Sequence, residues 1–197
     1  RILLTLLDYM ATPAQIARMK DVIGHPALLD GADGQMRAVH IRFNADSPVF
    51  ADVFVAGKPQ SWNHKQNDAL GLMIDAVVTA VNDGQITLQD LQAKGRLQAL
   101  VYLVGYLDAA KFYQMEDSGA WEENARLNTS SVALVTSALE NLQQTLKASN
   151  QQAEGFAAAF LAQAQTLGLA QTVSAGHLQE LVNKGYQLID TQLSEGG

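Results

Sequence analysis

The sequence predicts an all-α protein built from antiparallel helical hairpins. Three observations predict it. The 197 residues are 48% apolar and only 17% charged, with four prolines and no cysteine, a mixture that favours helices over strands. Several long stretches carry apolar residues at helical spacing, two of them on nearly the whole circumference. Helix-start signals fall between those stretches.

Taken in order, Ile2 to Ile23 reads as helical, with a break and restart at Thr12-Pro13: Thr as N-cap, Pro at the first helical position. His25 to Gln35 is rich in glycine and acidic punctuators and reads as loop. Ala38 to Phe43 alternates loosely, as a short strand would, and Asn44 to Trp62 holds two prolines and no period. An irregular segment of that length is usually functional or ordered by a ligand site. Lys65 to Asn82 is strongly helical, with Ala69, Leu70, Leu72, Met73, Ile74, Val77, Val78 and Val81 distributed almost all round.

A second long helix starts at the N-cap Thr87, with Asp90 as the capping-box acid, and is expected to run to about Tyr113. Its middle, Leu97 to Leu107, is also apolar on most sides. Two such helices require neighbours in several directions. Gln114 to Asn128 is polar and turn-like, and Asn128-Thr129-Ser130-Ser131 is an N-terminal capping cluster. Val132, Val135, Ala138, Leu139, Leu142 and Leu146 form one helical stripe. Two amphipathic helices follow, about Gln152 to Leu169 and Ala175 to Leu193. No internal repeat or domain boundary is visible, so residues 1–197 read as a single domain.

Composition also excludes. The formal net charge is -7, with no run of Lys or Arg; nucleic acid is not an expected partner. An acidic surface suits a neutral substrate such as a sugar. Without cysteine there is neither disulfide nor thiolate zinc site, and the four scattered histidines, His64 among them, lack ligand spacing. No metal or cofactor is expected. No stretch approaches eighteen uninterrupted apolar residues, so no membrane span is expected. RILLTLLDYM lacks a small-residue cleavage site and carries Asp8, which argues against a signal peptide; the compartment stays open, with the cytoplasm favoured over secretion.

Two polar segments precede buried helices, and each holds one of the two tryptophans: Ser61-Trp62-Asn63-His64-Lys65-Gln66-Asn67-Asp68, and Glu116 to Asn124 with Trp121-Glu122-Glu123. Aromatic faces beside carboxylates and amides are the furniture of a sugar site. With one long helix between them, the helices from Lys65 and Thr129 should open at the same end. Structural roles compete with this reading: Trp62 as a hydrophobic staple, Asp68 as complement to a helix dipole, and Glu122-Glu123 as a solvated pair.

These segments also carry a resemblance. Trp62-x-x-x-Gln66-x-Asp68 resembles the W-G-x-x-Q-x-D segment of glycoside hydrolase family 15, and Arg42-Phe43-Asn44 resembles the K-[FY]-N stretch before it. Trp121-Glu122-Glu123, followed by Asn128-Thr129-Ser130-Ser131, resembles that family's W-E-E and x-S-S. Leu127 to Leu142 is more similar still to phosphorylase kinase α and β subunits. Residues 36–146 carry the match. It implies a portion of an (α/α)₆ toroid, with Glu122 as the general acid of an inverting hydrolase. Trp62, Gln66, Asp68, Trp121 and Glu123 would then bind an α-linked glucosaccharide. A second carboxylate about 6.5–9.5 Å from the acid would activate water.

The sequence departs from that pattern. The W-x-R-D segment is missing, and no acid before Gly197 sits in the context of the general base. Twelve helices need roughly 200 residues at least, and only about seven are read here. The expectation is therefore a fragment of a glucoamylase-like hydrolase, inactive as it stands. The alternative is a non-catalytic carbohydrate-binding or regulatory toroid of the phosphorylase kinase type. Cut toroid faces would favour self-association.

Overall fold

The structure is a computed structural model describing residues 1–44, 46–47, 52–120, 124–148 and 151–195. Among them the chain is mostly helical, as the composition predicts. The α-helices are α1 (Ile2–Met10), α2 (Pro13–Gly24), α3 (Gly34–Arg37), α4 (Asn67–Asn82), α5 (Leu88–Gln92), α6 (Arg96–Ala109), α7 (Thr129–Lys147), α8 (Gln151–Thr166) and α9 (Ala175–Glu195). A 3₁₀ turn at Pro26–Leu29 and α3 occupy the region read as loop.

The apolar circumference of α6 is explained by its position at the centre of the core. Leu97 and every residue from Ala99 to Leu107 are buried. α1, α2, α4, α5 and α8 all pack against it. Gly105 permits that closeness, since a Cβ there would stand 3.1 Å from the Ile23 Cδ1 and 3.2 Å from a Leu169 methyl.

The expected single helix from Thr87 to Tyr113 is broken. Thr87 and Asp90 do form the capping box, but Lys94 and Gly95 take left-handed backbone angles (φ 55° and 75°) and the chain turns between α5 and α6. Glycine adopts that region without penalty. The bend is held by a part-buried ion pair. Arg96 donates from Nε to Asp8 Oδ1 at 2.6 Å, from Nη2 to Asp8 Oδ2 at 3.1 Å and from Nη1 to the Asp90 carbonyl at 2.7 Å. Lys94 adds a further bond to Asp8. Burial pushes the Asp8 carboxyl up, but the Arg96 and Lys94 bonds outweigh it and hold it below the usual carboxylate range.

A second layer runs beside this core. Gly71 of α4 touches the backbone of Leu134 and Val135 so closely that a Cβ would lie 2.7 Å from the Val135 nitrogen. Farther along, Asn141 donates to Asp75 and Thr79, and Asn82 donates to Thr145. Partner numbers rise together, so α4 and α7 are parallel and their N-termini share one end of the molecule. α9 runs antiparallel to α7, because Thr129 meets Gln192 while Gln143 meets the Ala175 carbonyl.

Ala38 to Phe43 forms no strand. The strand pair described is β1 (Phe54–Val55) with β2 (Lys58–Pro59), antiparallel, with Phe54 opposite Pro59. Its turn residues Ala56 and Gly57 both have positive φ, the twist a two-residue hairpin needs.

Candidate functional site

The chain before α4 is irregular because its backbone is held by side chains. Gln15 of α2 works as a two-sided clamp: its Nε2 donates to the His40 carbonyl at 2.6 Å and its Oε1 accepts from the His40 amide at 3.1 Å. Tyr9 of α1 donates to the Arg42 carbonyl and stacks on Phe43 with centroids 4.2 Å apart. A ladder to another strand is thus replaced by two anchors on the first helices.

The clamp fixes a cluster of polar rings. His40 and His64 stack at 3.7 Å with planes 9° apart. His40 Nδ1 lies 2.9 Å from Asp52 Oδ1 and its Nε2 3.1 Å from the Met36 carbonyl. Arg18 donates to the other Asp52 oxygen at 2.9 Å. Burial and the Arg18 charge pull His40 below the usual histidine range, against the Met36 carbonyl and the Asp52 carboxylate, which favour the charged ring. Burial tends to raise Asp52, yet His40 and Arg18 hold it low.

His64 accepts the Ile41 amide proton at Nδ1, 3.3 Å away. Burial first, then the neighbouring His40 and Arg18, push its pKa down to about 3. The ring is therefore neutral at pH 7, with its proton on Nε2. The Arg42 guanidinium lies over the Trp62 ring, 4.0 Å from the centroid. Trp62 Nε1 is buried and has no acceptor. His40, Arg42, Asp52, Trp62 and His64 line a cavity with room for a single water-sized group, about 10 Å³.

A second polar knot lies where the N-termini of α4 and α7 meet. Asp117, fully buried, accepts the Asn67 amide on Oδ2 at 2.9 Å and the Asn128 side chain on Oδ1. One carboxylate thereby joins both helix starts, the dipole role that the sequence suggested for Asp68. Asn128 holds the N-cap position of α7, but its side chain makes no capping bond there; it turns to Asp117 instead. Gly119, with φ 58°, leaves the space that Asn128 fills. Gln66 donates to Ser118 at 3.2 Å, and the Ser118 amide donates to the Lys65 carbonyl. Both amide atoms of Asn67 and the Ser131 hydroxyl are buried without a partner.

The two polar segments picked out in the sequence are thus adjacent in space. Trp62 lines the small cavity; Gln66 and Asp68 are buried at the start of α4. Trp121, Glu122 and Glu123 lie outside the described residues. Sequence reasoning missed Arg18, Asp52 and Asp117 and gave His40 and His64 no role. Single polar residues in loops carry no period, so only the tertiary anchors reveal them. Among the described residues no group of three or more His, Asp or Glu is arranged to hold a metal, and no helix is long and apolar enough to cross a membrane.

No family model matches the chain, and no solved structure matches it. An uncharacterized lipoprotein of Escherichia coli (strain K12), YgeQ, is 58% identical over 118 residues, which are 60% of this chain and 45% of that protein. The chain spans less than half the length of this curated relative. The finding overturns the resemblance to glycoside hydrolase family 15 and phosphorylase kinase: a relative at this identity is named as a lipoprotein, and neither a family model nor a solved structure points to a glycosidase. The glucoamylase-like function and its regulatory-toroid alternative go with it. The physical reason is visible in the knot between α4 and α7. The spacings that suggested W-x-x-x-Q-x-D and x-S-S are those of two parallel helix starts tied by Asp117, Asn128 and Ser118.

Proposed function

We propose that this chain is a helical ligand-binding domain belonging to a membrane-anchored lipoprotein, with its binding end where α4 and α7 begin. The 58% identity to a protein named as a lipoprotein supports the anchored parent, in place of the expected cytoplasmic setting without a membrane. The observation that carries the binding end is the concentration of buried polar atoms without partners: Trp62 Nε1, both amide atoms of Asn67 and Ser131 Oγ. Each such atom costs about 1–3 kcal/mol, and native proteins hold few of them. Trp62 lines the small cavity, while Asn67 and Ser131 stand in the first turns of α4 and α7; polar atoms left open at these places support a site that is completed by a ligand.

In this proposal Trp62, Gln66 and Asp68 stand at the ligand end, and Trp121 and Glu123 remain candidate contacts from the adjoining segment. The α-linked glucosaccharide remains a ligand to assay. No catalytic role is carried forward for Glu122. The toroid also stays a proposal, supported by the parallel pair α4 and α7 with α6 between them in the chain. Two results test the reading. The full-length parent should be recovered in the membrane pellet; recovery only in the soluble fraction removes the anchored parent. In the chain, maltose, acetate, acetamide or inorganic phosphate should move the Trp62 indole N–H resonance saturably. If none does, in folded protein, the binding end is wrong.

A further inference from the structure

Trp62, Arg42 and His64 all line the small cavity, and each keeps an N–H group with no acceptor among the described residues. Trp62 Nε1–H is buried and unpartnered. The Arg42 guanidinium touches the Trp62 face and makes no hydrogen bond of its own. His64 commits Nδ1 to the Ile41 amide, so Nε2 must carry the proton, and that nitrogen has no partner either. The carboxylate at the cavity, Asp52, is already used on both oxygens, by His40 and Arg18. Its charge is therefore spent on the neighbouring Arg18, and the Arg42 charge is left over.

Donors without acceptors, one uncompensated positive charge and space for one water-sized group define a narrow chemistry. We infer that this cavity binds one carboxylate oxygen of a small organic acid, held by Arg42, the Trp62 indole and His64. The inference rests on the reading of this end as a binding site and gives its ligand class. A guanidinium and two neutral N–H donors suit a planar carboxylate, because charge-assisted bonds are shorter and stronger than neutral ones. A neutral amide offers the same oxygen without the charge that Arg42 complements. Because His64 stays neutral there, the affinity should be level between pH 6.5 and 8.

The test titrates the chain with acetate, acetamide, inorganic phosphate and maltose. It follows both indole N–H resonances, the Trp62 signal being assigned with Trp62→Phe, and the His64 ring nitrogens. Acetate is expected to shift Trp62 and His64 Nε2 saturably and more tightly than acetamide or phosphate. Arg42→Gln should weaken acetate by about tenfold or more, the size of losing a charge-assisted bond, while Arg42→Lys retains part of the affinity. Acetamide or maltose binding as well as acetate overturns the carboxylate assignment and leaves the binding end standing. Phosphate binding more tightly than acetate overturns it too. No saturable shift with any of the four sinks both readings.

Discussion

Two arginines in this protein face opposite circumstances. Arg96 spends Nε, Nη1 and Nη2 on Asp8 and the Asp90 carbonyl, locking α1 to the bend between α5 and α6. Arg42 spends none; it rests on the Trp62 ring at the mouth of a small cavity. The difference teaches how to tell a polar group that holds the fold from one kept for something else. Arg96, its donors matched by acceptors, is a structural tie, whereas Arg42, half-buried and without such acceptors, ties nothing together.

The sharpest way to break the comparison is at Asp8. Asp8→Ala leaves the Arg96 guanidinium short of two acceptors in a mostly buried setting, and should cost about 3 kcal/mol in chemical denaturation. A loss below about 1 kcal/mol would mean that the two arginines are equivalent after all.

Next in size is the pH dependence of the ring stack beside Arg42. His64 takes its proton near pH 3 in the folded chain, and near pH 6.5 when unfolded. Above about 6.5 its contribution is complete. As pH falls below that, the unfolded chain binds a proton that the folded chain refuses, so stability declines. The slope is up to about 1.4 kcal/mol per pH unit. Lowered His40 acts in the same direction. Unfolding measured from pH 7 to 5 should show this decline, and His64→Gln should flatten it; an unmodified chain with level stability across that range would contradict the placement of the rings.

The smallest effect is predicted at Arg42 itself. Arg42→Gln removes a cation–π contact and no hydrogen bond, so denaturation should register less than about 1 kcal/mol. A loss as large as that of Asp8→Ala would make Arg42 a structural tie and end the contrast.

How far the sequence revealed these features follows the same division. α4 and α6 were legible because burial on most sides leaves an apolar circumference, and the Thr87–Asp90 box announced α5. The end of α5 was missed, since Lys94-Gly95 differs little from an exposed turn of helix until Asp8 reaches across to Arg96. In the site, Trp62 and Gln66 stood out by type and spacing, but Arg18, His40 and Asp52 meet only because Gln15 clamps the chain to α2. A clamp between residues 25 apart leaves no periodic trace. The glycosidase resemblance failed for the same reason: short motifs record helix starts, and many folds place aromatic and polar residues at helix starts.

The glycine contact between α4 and α7 also has a consequence for biosynthesis. Gly71 has to meet the backbone of Val135, which is made roughly 60 residues later. At about 5–20 residues per second, α4 waits about 3–12 s after synthesis before its partner exists. Throughout that delay Gly71, Asp75, Thr79 and Asn82, which meet α7 in the finished molecule, lack the helix that will cover them. The nascent chain is therefore most open to chaperone capture or aggregation between the completion of α4 and the arrival of α7.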